Sequence, residues 1–203
     1  MTNGERRGPP WGLILLMIVF IGPAAIAWTL FFSGWRPGET ANHGELITPP
    51  HHLQGNLHTA DGPAISADGL RGKWSIVVLN RGACERDCVD RLEQTRQVRR
   101  ALAQYMDRAR RLLVLPADAP DLAEDVLAEH LDLTVYRTAD NLIPPGQPYA
   151  DAPLHVSLLD TRGYRMLAYP EPLDAGGLLS DMKRLMRLSN VELERLQGLS
   201  DGG

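Results

Sequence analysis

The chain opens with a run of apolar residues that contains no charged side chain. The run extends from Trp11 to Phe32, and further tryptophans stand near its far end at Trp28 and Trp35. A helix of about 20 consecutive apolar residues crosses a bilayer core, and indole rings favour the interface between membrane and water. The pattern therefore predicts a transmembrane helix over residues 11–33, held in membrane lipid.

A cleaved signal peptide is the alternative interpretation of the same run. The apolar stretch exceeds the roughly 7–15 residues typical of a signal peptide, and no clear Ala-x-Ala cleavage site follows it. Arg6 and Arg7 precede the run, and Arg36 closely follows it. Because positive charge is retained on the cytoplasmic side, we expect residues 1–10 in the cytoplasm. The predicted location is the inner (plasma) membrane, with a single pass and an extracytoplasmic domain in the periplasm.

The next segment, residues 34–52, is predicted to be a linker because glycines and prolines interrupt any periodicity. Several histidines fall in this linker and just beyond it, at His43, His51, His52 and His58. Their spacing lacks the pairing of a metal site built on a helix or a strand. We interpret them as part of an exposed, flexible segment.

Strands and helices alternate from residue 53 onward. Trp74–Asn80 is apolar on both faces, which is typical of a central buried strand. Behind it, apolar residues at spacings of three and four predict a helix over about residues 85–108. The remaining predicted elements are a hairpin over 53–65, strands over 111–115, 133–137, 154–160 and 164–169, helices over 120–131 and 173–188, and a loop over 138–153.

This order of elements predicts an α/β protein. A β-α-β unit, a second helix, a late hairpin and a closing helix correspond to a thioredoxin-like mixed sheet flanked by helices, preceded here by an extra hairpin and the N-terminal transmembrane helix. We expect the thioredoxin-like domain to span residues 53–190 and the C-terminal tail, residues 191–203, to fray.

Composition and the absence of common motifs exclude several classes of function. The 203 residues carry a net charge of -4, and the pI is about 5.8, so nothing indicates a nucleic-acid partner. The sequence contains no GxSxG elbow, P-loop, HExxH motif or dinucleotide fingerprint. The chemistry that remains is that of the thiols.

Cys84 and Cys88 are the only cysteines, and they lie where the predicted central strand turns into a helix. A helix N-terminus favours the thiolate, which attacks disulfides and binds metals. Residues i and i+4 of a regular helix have Cβ atoms about 5–6 Å apart, whereas a disulfide needs about 3.5–4.5 Å. A disulfide therefore requires Cys84 to lie in the loop, while Cu(I) accepts two thiolates at a wider separation. A plain structural disulfide, or a pair of inert buried thiols, is the alternative to a redox or copper site.

The segment from Leu70 to Cys88 resembles the Sco family in its sequence Leu-Arg-Gly-Lys-Trp-Ser-Ile-Val-Val-Leu-Asn-Arg-Gly-Ala-Cys-Glu-Arg-Asp-Cys. Residues 158–169 are similar to that family's late hairpin. Sco proteins are membrane-anchored thioredoxin-fold proteins that help to mature the copper centre of cytochrome c oxidase. The resemblance implies a divergent member, in which Cys84 and Cys88 occupy the positions of the two copper-binding cysteines.

The resemblance also implies a third copper ligand, a histidine just before the late strand. Setting Leu159 and Asp160 against the family's matching pair places that histidine at Ala152. His155 is the nearest histidine in the chain. We therefore expect His155, if any residue, to join Cys84 and Cys88 as the third metal ligand for a copper ion.

Prolines around the cysteine pair depart from the family pattern. The family usually has a proline within and after the pair, where this chain has Glu85 and Val89. Pro153 precedes the late strand, at the position where thioredoxin-like folds place a cis-proline against the active cysteines. Most X-Pro bonds are trans, and the sequence leaves the isomer of Pro153 open.

Together these features predict a membrane-anchored extracytoplasmic protein that assists cytochrome c oxidase biogenesis. Cys84 and Cys88 would either bind and transfer Cu(I) or reduce the thiols of a protein client in oxidase assembly. Two alternatives remain open. One is a thiol-disulfide oxidoreductase, in which Cys84 attacks and Cys88 resolves. The other is a degenerate, non-catalytic domain used for docking.

Overall fold

The computed structural model of the chain describes residues 11–32, 42–59 and 62–200. It divides into two compact units, Met1–Ala41 and Asn42–Gly203. The described part of the first unit is the helix α1 (Trp11–Phe32), which coincides with the apolar run. Within the described ranges, no helix is both long enough and apolar enough to cross a membrane. The predictions made for residues 1–10 and 33–41 lie outside the described residues.

The second unit is built on a mixed six-stranded sheet with the order β1-β8-β7-β4-β5-β6. Its strands are β1 (Glu45–His52), β2 (Asn56–Leu57), β3 (Ile65–Ser66), β4 (Trp74–Asn80), β5 (Ala109–Pro116), β6 (Leu133–Thr138), β7 (Leu154–Leu159) and β8 (Tyr164–Tyr169). Its α-helices are α2 (Arg86–Ala101), α3 (Glu124–Glu129) and α4 (Ala175–Ser200), and short 3-10 helices cover Ala67–Gly69 and Ala103–Arg108. The strands β4, β5 and β6 run parallel, the other neighbours are antiparallel, and β2 and β3 form a separate hairpin.

The central strand of this sheet is β4, as its apolar sequence predicts. It is buried from Trp74 to Leu79 and pairs with β5 on one side and β7 on the other. Alternate residues of β4 serve two separate cores. Ile76 and Val78 pack beneath α2 and α4 on what we call the helix face. Val77 and Leu79 pack beneath the β2–β3 hairpin and the loop over 138–153 on what we call the loop face. The predicted mixed sheet flanked by helices is confirmed.

The linker predicted over residues 34–52 is wrong from residue 45 onward, where β1 forms one edge of the sheet. Its pairing with β8 shifts register between Leu46 and His51, the stretch that contains Pro49 and Pro50. An edge strand tolerates prolines because one of its sides makes no ladder hydrogen bonds. The prolines that suggested a linker therefore mark a sheet edge instead.

The histidines near β1 belong to the folded domain rather than to an exposed, flexible segment. His51 and His52 lie half-buried on the strand. The Nδ1 atom of His52 is 3.2 Å from the carbonyl oxygen of Gly163, and the backbone of His58 pairs with that of Arg137 in an isolated bridge. Our interpretation of this segment is thus corrected by its place in the sheet.

Helix boundaries also differ from the prediction. The helix expected over about 85–108 is α2 followed by a 3-10 helix, and the one expected over 120–131 is the shorter α3. The last helix, α4, continues to Ser200, so residues 191–200 are helical rather than a frayed tail. Residues 201–203 lie outside the described chain.

A buried carboxylate joins the start of β1 to α4. Asp181 is only 1% exposed. Its Oδ2 accepts hydrogen bonds from the backbone N–H groups of His43 (2.9 Å) and Gly44 (3.0 Å) and from the Tyr169 hydroxyl (2.8 Å). Burial and the neighbouring Asp181 raise the pKa of Tyr169 well above its usual range, so this hydroxyl stays protonated and donates. A Cβ on Gly44 would come within 2.6 Å of the Tyr169 ring, so only glycine fits here.

We expect Asp181→Ala to lower the free energy of unfolding by about 3 kcal/mol, because each buried donor left unpaired costs about 1–3 kcal/mol. Asp181→Asn keeps an acceptor oxygen and should cost less. The exposed Asp107 provides the matched control, and Asp107→Ala should change stability by less than about 0.5 kcal/mol. Urea denaturation of the full-length protein measures all three, and equal losses for Asp181→Ala and Asp107→Ala would contradict the role of this carboxylate.

Candidate thiol–disulfide site

The junction between β4 and α2 is held in place by its own polar groups. The side-chain amide of Asn80, the last residue of β4, donates to the carbonyl oxygens of Gly82 (2.9 Å) and Ala83 (3.0 Å). The backbone N–H of Arg81 donates to the carbonyl oxygen of Pro153 at 2.8 Å. The loop that carries the first cysteine is therefore fixed both to the end of β4 and to the segment that leads into β7.

The two cysteines form a disulfide across the start of α2. The helix begins at Arg86, with Glu85 in extended backbone as its N-cap residue, so Cys84 lies in the loop and Cys88 in the first turn. Their Cα atoms are 5.1 Å apart, within the range of about 4.4–6.8 Å that disulfides adopt. The geometric condition for a bond at this spacing, with Cys84 outside regular helix, is met.

The two sulfur-bearing residues differ in exposure. Cys84 is half-buried at the surface, whereas Cys88 is 3% exposed and packs in the core of the helix face. The core around Cys88 includes Leu92 of α2 together with Leu154 and Val156 of β7. An incoming thiol or thiolate therefore reaches the site through Cys84.

The charges around the pair are mixed. Glu85, Arg86 and Asp87 are all exposed at the start of α2. Arg81, although close to Cys84 in sequence, directs its guanidinium to the loop over 138–153, where it donates to the Oδ1 of Asn141 at 2.9 Å. The N-terminus of α2, where the helix dipole stabilises negative charge, favours the thiolate form of the pair once it is reduced.

The structure does not bring His155 together with the cysteines. His155 pairs with Leu79 across β4 and β7, which places it on the loop face. Its sequence neighbours Leu154 and Val156 lie on the helix face, in the same core as Cys88. Successive residues of a strand point to opposite faces of the sheet. The expectation that His155 is a third ligand beside Cys84 and Cys88 is corrected by this alternation.

His155 instead lies in an enclosed environment on the loop face. It is 2% exposed, and its ring stacks on that of Tyr149 with centroids 5.8 Å apart. Neither ring nitrogen has a hydrogen-bond partner among the residues that the structure describes. Burial, followed by the positive charges of Arg165 and Arg81, lowers the pKa of His155 to about 3. The imidazole is therefore neutral at physiological pH.

A copper ion in this chain would have two protein ligands at the cysteine pair. Ala152, at the position that the Sco resemblance assigns to the histidine ligand, has no donor side chain. Across the described ranges, no group of three or more His, Cys, Asp and Glu side chains is arranged to hold a metal. Once reduced, Cys84 and Cys88 offer the two thiolates that Cu(I) prefers. The cysteine part of the predicted site fits copper, and the histidine part does not.

Pro153 contributes to the site through its backbone. The cis peptide bonds of the described chain precede Pro49 and Pro172, so the bond before Pro153 is trans. Its carbonyl oxygen accepts the hydrogen bond from the Arg81 N–H. Pro153 thus holds the cysteine loop in place through its carbonyl oxygen, which acts as the hydrogen-bond acceptor.

Sequence reasoning missed a buried arginine on the loop face. Arg165 is fully buried, and its guanidinium donates to Ser157 Oγ at 2.9 Å and to the Pro148 carbonyl oxygen at 2.7 Å. Simple alternation along β8 would put Arg165 on the helix face with Leu167. A register shift in the β7–β8 pairing, opposite Leu158 and Leu159, turns it to the other side. No feature of the sequence marks that shift.

Solved structures share this fold. The apo Sco1 protein from Thermus thermophilus superposes with a TM-score of 0.53 at 13% identity, over 73% of this chain and 99% of that one. The copper-bound ScoI of Arabidopsis thaliana superposes with a TM-score of 0.50 at 15% identity, over 71% of this chain and 98% of that one. Yeast Sco1 superposes with a TM-score of 0.50 at 17% identity, over 66% of this chain and 98% of that one. At identities this low the superpositions establish the fold alone. That fold agrees with the Sco resemblance of the sequence.

The sequence itself also matches a defined family. Among curated proteins no sequence matches the chain. The family described as transmembrane-like, thioredoxin-like, C-terminal domain matches residues 74–189, more than half of the 203 residues. The matched range begins with β4 and includes the cysteine pair, β7, β8 and most of α4. The chain therefore belongs to this transmembrane-like, thioredoxin-like family, and its domain has the fold of the Sco proteins.

Proposed function

We propose that the chain is a membrane-anchored extracytoplasmic protein that assists cytochrome c oxidase biogenesis by thiol–disulfide exchange at Cys84 and Cys88. The observation that carries the proposal is the disulfide across the start of α2, with one sulfur near the surface and the other in the core. The Sco-like sequence around the pair and the Sco fold of the domain support the place in oxidase assembly. A respiratory oxidase subunit with oxidised cysteines is the proposed client.

The proposed exchange begins with the reduced protein. The Cys84 thiolate attacks one sulfur of the client disulfide, which forms a mixed disulfide and releases the first client thiolate. The Cys88 thiolate then attacks the Cys84 sulfur, which closes the intramolecular bond and releases the second client thiolate. Two electrons pass from the protein to the client, and an external dithiol reductant must restore the reduced pair. The disulfide form described here is the product of this cycle.

Single cysteine variants separate the two roles. We expect Cys88→Ser to accumulate a mixed disulfide with a peptide that contains a disulfide, because no resolving thiol remains. Cys84→Ser should not accumulate it, because the remaining thiol is buried in the core. Each variant loses the internal disulfide, so each controls for the other's stability. Mass spectrometry of the full-length variants under non-reducing conditions measures the adduct, and trapping by Cys84→Ser instead would reverse the assignment.

The reduction potential of the pair distinguishes exchange from a structural bridge. We expect a value between about -180 and -230 mV, where protein disulfide isomerase and glutaredoxins work. Equilibration of the full-length protein with glutathione redox buffers gives the value. A potential below about -300 mV is typical of structural disulfides and would contradict the proposal. Normal oxidase assembly in cells with both cysteines replaced by serine would favour the docking alternative.

Copper transfer is the second candidate function, and one observation favours it. The reduced cysteines at the β4–α2 junction would present two thiolates within a short distance, and Cu(I) would then be the protein's cargo. The copper-bound ScoI of Arabidopsis thaliana has the same fold. In this chain Ala152 stands where the Sco resemblance implies a histidine ligand, so we propose a site with two sulfur ligands.

We expect reduced full-length protein to take up about one Cu(I) with sulfur ligation alone, because His155 faces the other side of the sheet. Ala152→His should add a nitrogen ligand and tighten binding, whereas Asp151→His, the matched exposed control, should not. X-ray absorption counts the ligands, and competition with a Cu(I) chelator gives the affinity. Nitrogen ligation in the unmodified protein would contradict the two-thiolate site.

The membrane anchor is proposed from the first unit of the chain. The helix α1 covers 22 residues without a charge. Its described apolar side chains are largely exposed, from 52% for Met17 to 74% for Phe20. An exposed apolar surface of this kind is suited to lipid. Anchoring would hold the thioredoxin-like domain near a membrane-bound client and raise its effective concentration.

We expect the full-length protein to stay in the membrane fraction after extraction at alkaline pH. The double variant Leu16→Arg with Val19→Arg should be released, because each arginine near the middle of a span costs about 2.5–3.5 kcal/mol. Trp11→Arg, which adds the same charge at the helix end, is the matched control and should remain bound. Immunoblots of both fractions give the distribution, and release of the unmodified protein would contradict the anchor.

A further inference from the structure

A cavity of about 250 Å³ lies at the carboxyl ends of β4, β5 and β6, largely on the loop face. Its apolar wall includes Leu79, Val114, Leu142 and Ile143. Ligands of open α/β sheets bind outside the carboxyl ends of the strands, and binding pockets are typically apolar with a few convergent polar groups. The position and lining of this cavity are those of a binding site, and the cysteine pair does not line it.

His155 supplies one of the polar groups of the cavity. It lines the wall and is 98% buried, and neither of its ring nitrogens has a hydrogen-bond partner in the described part of the chain. Burying a polar group without a partner is unfavourable. A ligand in the cavity that accepts a hydrogen bond would satisfy the imidazole.

One cation and one carboxylate line the cavity. Arg81 lines it, and its Nη2 donates to Asn141 Oδ1 at 2.9 Å and to the carbonyl oxygen of Ala150. The buried Arg165 is not a lining residue, and its Nη1 atom has no hydrogen-bond partner among the described residues. The carboxylate of Asp140 also lines the cavity, but it accepts a 2.7 Å hydrogen bond from the backbone N–H of Asn56. Burial is the main cause of the low pKa of His155, and the charges of Arg165 and Arg81 lower it further.

We propose that this cavity binds a small organic carboxylate. The carboxylate oxygens accept hydrogen bonds from the Arg81 guanidinium and from one N–H of the neutral His155 ring, and a short apolar substituent packs on Leu142 and Ile143. The planar guanidinium matches a carboxylate in geometry. The apolar wall favours an organic acid over an inorganic anion, which has no substituent to bury. The acid is either a free metabolite or the C-terminal carboxylate of a peptide.

Two probes of the same shape test the charge preference. Full-length protein with 13C-labelled histidine is titrated with 4-methylpentanoate and with the uncharged 4-methylpentanamide. We expect the acid to shift the His155 ring signals in a saturable manner and the amide to leave them unchanged. Signals are assigned from the His155→Gln spectrum. Unchanged His155 signals at high acid concentration, or equal binding of the amide, would overturn the proposal.

A surface variant keeps the test independent of folding in the central sheet. Arg81→Gln should weaken binding of 4-methylpentanoate by about tenfold or more, since it removes a hydrogen bond between charged groups. Arg162→Gln, an exposed arginine in the turn between β7 and β8, is the matched control and should bind as the unmodified protein does. Equal affinity of the Arg81→Gln variant would overturn the proposed carboxylate contact. A tetrapeptide with a free C-terminal leucine identifies the source: tighter binding than the small acid indicates a chain end, and weaker binding indicates a free acid.

Discussion

The burial of β4 on both faces is the constraint from which the chemistry of this domain follows. Its pairing with β5 and β7 fixes the end of the strand at Asn80. Beyond that point the chain must leave the sheet and start a helix within a few residues. The first cysteine is thereby held in a short loop and the second in the first turn of α2, facing the core, so the disulfide has one accessible and one protected sulfur.

The same alternation of residues separates two chemistries on opposite faces of one sheet. The helix face holds Cys88 among aliphatic side chains. The loop face carries His155 and Arg165, together with the cavity at the ends of the parallel strands. Arg81 directly follows β4. It is close to the cysteines in sequence, but its guanidinium is hydrogen-bonded to the loop over 138–153. A histidine three residues from the expected ligand position is therefore no substitute for it, because an odd offset along a strand turns the ring to the opposite face.

Local patterns were sufficient to predict the central strand and the helix behind it, because the continuous apolar run of β4 and the spacing of α2 each depend only on neighbouring residues. The cysteine pair was found for the same reason. The position of His155 relative to the thiols depends on register across β4 and β7, and that of Arg165 depends on a register shift in β8. Such long-range pairings leave no mark in the sequence. Pro49 and Pro50 were misleading, since proline suits a linker and an edge strand equally well.

Those two prolines have a consequence for the protein in a crowded compartment. An exposed sheet edge is a template on which a second chain can add a strand, and natural proteins block such templates to avoid aggregation. Pro49 and Pro50 lack the N–H groups that such an addition needs, and the distorted pairing of β1 lies at the same place. Self-association through this border of the sheet is therefore discouraged by covalent structure alone, at any pH and in either redox state.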